Sequence, residues 1–186
     1  MLSILQQMTS PAILLLPGWQ NSDASHWQSR WEAVHGDRRV EQHEWMRPLR
    51  GDWSARLEEE VLAAPSPVVL VAHSLGCILA ATWSALSKNT HRVKSALLVA
   101  PGDVERPEVR ELIPTWSPIE LRALAFPSVL LASRNDPFCE FERARLFAYA
   151  WGSQFMDYGD CGHINAESGL ASWPEGHVLL QDLMKD

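Results

Sequence analysis

Three residues of this chain, Ser74, Asp136 and His163, have the types and the order that acyl transfer requires. Ser74 stands in Ala72-His73-Ser74-Leu75-Gly76, between a short apolar run and an alanine- and leucine-rich stretch. A nucleophilic hydroxyl must be lifted clear of a sheet on a sharp strand-to-helix turn, with small residues two before and two after it so that strand and helix can approach. Ala72 and Gly76 are those small residues, the alanine departing from glycine by one methyl. A helix N-terminus at that point favours negative charge on a reacting oxygen. Taken alone, Ser74 also fits a plain N-cap serine, so its assignment depends on partners. Asp136 lies in Ser133-Arg-Asn-Asp136-Pro137-Phe138, and His163 in Gly159-Asp-Cys-Gly-His163-Ile-Asn. A serine hydroxyl is a weak nucleophile until an imidazole takes its proton, and the imidazole needs a carboxylate to fix its tautomer and stabilise its charged form. Singly, an aspartate before proline is a turn residue and a histidine among glycines is a polar loop residue. Together, in the order nucleophile, acid, base, they point to hydrolysis through an acyl-enzyme.

Such side chains must be held at the ends of strands, and the apolar pattern supplies the strands. Runs at 12–16, 68–71, 93–100, 128–132 and 153–158 are too short for helices and are bounded by Pro, Gly or polar clusters. A more polar stretch at 38–45 suits a sheet edge. Between them the helical spacing of Trp27, Trp31 and Val34 predicts a helix over 26–35, stopped by Gly36. Asp52 is placed to cap a helix whose stripe is Leu57, Val61 and Leu62. Further helices are expected over 75–85, around 107–113 and 119–124, over 139–151, and from Pro174 through Leu183. Strand and helix alternate throughout, which predicts an α/β fold: a compact three-layer sandwich with a mostly parallel sheet of about six strands. Ligands of such sheets bind beyond the carboxyl ends of the strands, where all three residues fall. No insertion is long enough for a large lid.

The 186 residues suit one domain, residues 1–186, with 1–10 as a loose leader. A net charge of −7 argues against a nucleic-acid partner. Residues 1–10 lack the basic segment of an export signal, and no run approaches the roughly 20 apolar residues of a membrane span. The three cysteines have no CxxC spacing and fit free thiols of the cytoplasm. Cys139, Asp160, Cys161 and His163 are all zinc-ligand types, but their spacing matches no metal site, so neither metal nor cofactor is expected. Cys77 reads as a small buried apolar residue. Nine tryptophans are too many to hide entirely in a core, so some are expected to line a cleft. The implied partner is a small ester or amide. The oligomeric state is not legible.

The order nucleophile, acid, base is that of α/β-hydrolases, and the chain resembles one compact branch of them, the retinoblastoma-binding protein 9 and YdeN family of small serine hydrolases. The likeness rests on Pro17-Gly-Trp19, His26-Trp27, Ala72-His-Ser-Leu-Gly76, Ser133-Arg-Asn-Asp-Pro137, Gly162-His-Ile-Asn165 and Ser172-Trp-Pro-Glu-Gly176, and so extends over nearly the whole chain. It implies Ser74, Asp136 and His163 as a triad. An oxyanion hole is then expected from the backbone N–H of Leu75 and of Trp19, with Gln20 the neighbour Trp19 is confused with most easily. Gln20, His26, Trp27, Trp116, Phe138 and Ile164 are candidates for the cleft, with packing of the first helix the favoured alternative for His26 and Trp27; Trp116, Phe138 and Trp173 are candidates for an aromatic rim, with surface packing an equal alternative. Asp103, after the strand at 93–100, competes with Asp136 for the acid. The family name suggests a protein-binding L-x-C-x-E motif, but Leu75-Gly-Cys-Ile-Leu79 ends in leucine, so that interaction is not implied. The rival reading is a non-catalytic protein-interaction module that retains the fold.

Overall fold

The computed structural model describes residues 11–65 and 67–185, so the expected leader at 1–10 lies outside the described residues. Short runs, apolar in the interior of the sheet and polar at its edge in β2, form six strands among the described residues: β1 (Ala12–Leu16), β2 (Arg38–Arg39), β3 (Val68–His73), β4 (Val93–Val99), β5 (Ser128–Ala132) and β6 (Gln154–Asp157). They make a parallel sheet in the order β2-β1-β3-β4-β5-β6. The chain therefore runs outward from β1 to one edge, returns to β3, and proceeds to the other edge. The order reverses between β1 and β3, and it is there that the loops following two neighbouring strands separate to leave a crevice.

The helices are α1 (Trp27–His35), α2 (Arg50–Ala63), α3 (Leu75–Leu86), α4 (Pro107–Arg110), α5 (Phe141–Trp151) and α6 (Pro174–Leu183). Alternate strand residues divide the core. Leu14, Leu16, Leu70, Ala72, Leu98 and Leu130 pack with Trp53, Leu57 and Val61 of α2, with α3, and with Ala144, Phe147 and Trp151 of α5. Leu15, Val69, Val71, Leu97, Val99 and Leu131 face the other way, against Trp27 and Trp31 of α1 and Leu180 of α6. The period of two in the strands thus produces the three layers. No large lid is present among the described residues, and no helix there is long and apolar enough to cross a membrane.

Several local expectations need correction. The edge strand is two residues long rather than spanning 38–45, because its partner β1 runs into Pro17, which has no N–H to continue a ladder. Asp52 does not cap α2; it lies in the first turn, and Leu49 is the N-cap. The buried stripe of α2 is Trp53, Leu57 and Val61, in steps of four, whereas Leu62, one residue round the helix, is exposed, as is Val34 on α1. No helix forms over 119–124. There the amide of Leu124, which a helix would turn back to Glu120, donates to the Trp151 carbonyl, while that of Ile119 donates to Glu105. Seven tryptophans, 27, 31, 53, 83, 116, 151 and 173, are buried, so the core takes most of them and Trp19 is left to line a cavity. Each of the seven places its ring in the core because its indole N–H finds an acceptor there or at its edge, as Trp116 does on Pro48 and Trp151 on Glu120.

Candidate active site

Ser74 joins β3 to α3 with φ 54° and ψ −117°, a conformation a non-glycine residue rarely adopts. Its amide donates to the Val99 carbonyl at 3.1 Å. Its hydroxyl makes no capping bond to α3, so the plain N-cap reading fails. Close backbone approach holds the turn in place. A Cβ on Gly76 would lie 2.2 Å from the Leu16 carbonyl oxygen, so only glycine lets α3 start beside the end of β1. A Cβ on Gly18 would lie 2.9 Å from that of Ser74, and one on Gly102 3.3 Å from its Oγ. The loops after β1 and β4 therefore crowd the hydroxyl from both sides.

The loops after β5 and β6 bring Asp136 and His163 to the same point. His163 Nε2 lies 2.9 Å from Ser74 Oγ, and its Nδ1 lies 2.9 Å from both carboxylate oxygens of Asp136. A carboxylate only accepts, so Nδ1 carries the proton and Nε2 offers its lone pair to the serine hydroxyl. The side chains are 8% and 3% exposed, which strengthens both bonds by excluding water. The Phe138 amide also donates to Asp136 Oδ1, at 2.8 Å. Neighbouring residues splice the two loops: Asn135 Oδ1 accepts from the Gly162 amide, and Ser133 Oγ from the Cys161 amide, each at 2.8 Å. Asp103 is turned elsewhere. Its Oδ1 accepts from the Glu105 amide and its Oδ2 lies 3.4 Å from Arg143 Nε.

A cavity of about 380 Å³ opens over Ser74. Among the residues expected at a cleft, Gln20, His26 and Phe138 line it, together with Trp19 and Leu75. Trp27, Trp116 and Ile164 do not: all three are core residues, and the indole N–H of Trp27 donates to the Ile164 carbonyl at 2.8 Å. Trp173 is likewise buried, its indole N–H on the Tyr158 hydroxyl, so it forms no rim. Of the two candidate oxyanion donors after β1, the Gln20 amide is taken by the Trp45 carbonyl at 3.2 Å, while no acceptor among the described residues takes that of Trp19. Val104, Val109 and Ile113, from the link after β4, add an apolar wall that the sequence reading missed; its proline-broken pattern gave no period to assign a face. His73 was also missed, although a titratable residue beside Ser74 at a strand end was signal enough to single it out. Burial pushes its pKa well below the ordinary imidazole value, and that of His26 to about 4.

Among the described residues no group of three or more His, Cys, Asp or Glu is arranged to hold a metal. Burial raises the Cys139 thiol to about 12 and that of Cys161 above its ordinary value, so both are held in the protonated form at neutral pH.

A serine hydrolase family profile matches residues 13–182. Among solved structures, a YdeN-like hydrolase from Pectobacterium atrosepticum is 32% identical over 97% of this chain and 95% of its own, with TM-score 0.83. The ydeN gene product of B. subtilis is 17% identical over 95% of this chain and 100% of its own, with TM-score 0.73. An esterase, RhEst1, from Rhodococcus sp. ECU1013 is 14% identical over 96% and 92%, with TM-score 0.66; at that identity it shares the fold. No curated protein of known function matches the chain.

Proposed function

The chain belongs to the serine hydrolase family, among the small YdeN-like α/β-hydrolases, and from that premise we propose that it cleaves carboxylic esters, or small amides, through an acyl-enzyme formed on Ser74. The single observation that carries this reading is the unbroken series Ser74 Oγ, His163, Asp136, with 2.9 Å at each link. Ser74 Oγ bonds to the substrate carbonyl carbon while its proton passes to His163 Nε2. The carbonyl π electrons move onto oxygen, and that oxyanion is met by the N–H groups of Leu75 and Trp19. The intermediate collapses, the bond to the leaving oxygen breaks, and the proton on Nε2 goes to it. Water then attacks the acyl carbon, giving one proton to Nε2, which returns it to Ser74 Oγ as the acid departs. Asp136 keeps the Nδ1–H tautomer and stabilises the imidazolium throughout.

Residues 11–185 we read as one domain, supported by the two core layers that share one sheet. Cytoplasmic residence is our reading from the three free cysteines. The test of the function is a fluorophosphonate probe followed by turnover of an uncharged p-nitrophenyl ester. The wild type labels at Ser74 and hydrolyses the ester. Ser74→Ala stays folded, does not label, and loses on the order of a millionfold in turnover. A folded wild type that neither labels nor hydrolyses any ester or amide would instead support an interaction module that has kept the fold.

A further inference from the structure

His73 ends β3 immediately before Ser74, with its side chain on the face of the sheet that packs α1. It is 5% exposed, and its Nε2 lies 2.9 Å from the main-chain carbonyl oxygen of His163. A carbonyl accepts only, so the proton is on Nε2. Its ring stands edge-on to those of His163 and His26, at centroid distances of 4.8 and 4.7 Å. His26, at the N-cap of α1, uses Nδ1 to accept from the Gln28 amide and so is also a neutral Nε2–H imidazole. No carboxylate bonds to either ring among the described residues, and desolvation disfavours the charged, doubly protonated form of both.

We propose that His73 is a positioning residue of the hydrolytic site: its Nε2–H anchors the main-chain carbonyl of His163 and thereby sets the imidazole of the base against Ser74. The proposal rests on the reading of His163 as the base. The loop that carries His163 follows the edge strand β6 and bends through positive φ at Gly159, Gly162 and Ile164. A loop of that shape does not fix a ring by itself. On the side of the acid it is spliced to the β5 loop by Ser133 and Asn135. On the side of the nucleophile the tie is His73, with Trp27 holding the next carbonyl, that of Ile164. Because His73 adjoins Ser74 on a fully buried strand, this one bond refers the base to the nucleophile across 90 residues of chain. A neutral imidazole suits the task. It donates to the carbonyl without placing a second positive charge beside the imidazolium that forms at His163 during the reaction.

The test compares His73→Phe, which keeps a ring and removes the donor, with His73→Gln, which returns an N–H at similar reach. Displacing a catalytic group by about 1 Å costs on the order of a hundredfold. For His73→Phe, kcat and the rate of fluorophosphonate labelling should therefore fall by about 10- to 100-fold, while KM for a small ester moves only a few-fold. His73→Gln should recover most of both rates. The downfield proton signal of His163 Nδ1–H should broaden or shift in the Phe variant and return in the Gln variant. Equal defects in the two variants would reduce His73 to packing and overturn the proposal, as would a Phe variant of wild-type rate. Should the Phe variant fail to fold, ¹⁵N shifts of the wild type decide: a neutral Nε2–H His73 is required, and a charged ring or an Nδ1–H tautomer refutes it. If Ser74→Ala still hydrolyses esters, the site reading itself fails. If Ser74→Ala is inactive and His73→Phe is unaffected, the role of His73 alone falls.

Discussion

Asp136→Asn replaces one oxygen with an NH₂ group, and the surroundings dictate which one. The Phe138 amide donates to Oδ1 at 2.8 Å, and turning the new NH₂ towards it would set two donors face to face. The amide oxygen is therefore held at Oδ1 and the nitrogen falls at Oδ2; both positions lie 2.9 Å from His163 Nδ1, so the ring meets a donor and a neutral oxygen in place of two carboxylate oxygens. A donor there stabilises the imidazole with a bare Nδ1 and its proton on Nε2, facing Ser74 Oγ. That tautomer cannot take the serine proton. In triads of this chemistry the corresponding change costs up to about 10⁴-fold in turnover, or about 5 kcal/mol of transition-state stabilisation. The side chain is 3% exposed, so water cannot substitute for the lost carboxylate charge. Asp103→Asn is the control. It loosens a 3.4 Å contact with Arg143 in which both side chains are partly exposed, worth less than about 1 kcal/mol, and leaves the His163 tautomer alone. The assay is p-nitrophenyl ester turnover of both variants at one pH, with thermal unfolding to verify the fold. A severe defect in Asp103→Asn beside near-normal Asp136→Asn would refute the assignment of the acid. Equal mild effects would refute the tautomer argument.

Three further outcomes can be checked independently. Gly76→Ala puts a methyl 2.2 Å from the Leu16 carbonyl oxygen, so denaturant unfolding should show a loss of about 1–3 kcal/mol or more, and an unchanged midpoint would contradict the close approach of α3 to β1. Burial raises Asp37 to about 6 from its ordinary 3.8, and its Oδ2 has no hydrogen-bond partner. Since the folded state prefers the protonated form, stability declines as pH rises from about 4 to 6 and is level above that. Asp37→Asn should thus raise the melting temperature at pH 7 and lose its advantage below pH 4; a gain that is greatest in acid would reverse the sign of the argument. The thiols of Cys139, at about 12, and Cys161 are both raised by burial, so little thiolate exists at neutral pH. Iodoacetamide should label native protein far more slowly than unfolded protein, with ester turnover retained, whereas rapid native labelling of Cys139 would show a more accessible thiol.

By itself the sequence determined the alternation of elements and which chemical groups reach the strand ends. Val68-Val-Leu-Val71 can be little but a buried strand, and Ala72 and Gly76 leave a turn at Ser74. These are properties of neighbouring residues, and short-range sterics and hydrophobic period are legible in a window of ten. Which carboxylate meets His163 was not. Asp103 and Asp136 both follow strands, and only the positions of β4, β5 and β6 in the sheet, together with the splice of Ser133 and Asn135 to the β6 loop, turn Asp136 to the ring and Asp103 to Arg143. The tryptophans teach the same lesson. Composition counted nine, but whether a ring is buried depends on an acceptor for its N–H that comes from a remote segment, Ile164 for Trp27 and Pro48 for Trp116. The cavity, too, belongs to the tertiary structure: it exists because strand order reverses between β1 and β3, which sets Trp19 beside Leu75 and His73 against His26. Those distances separate residues far apart in the chain, and nothing local fixes them; they are decided when the helices settle on the two faces of one sheet and exclude water from both.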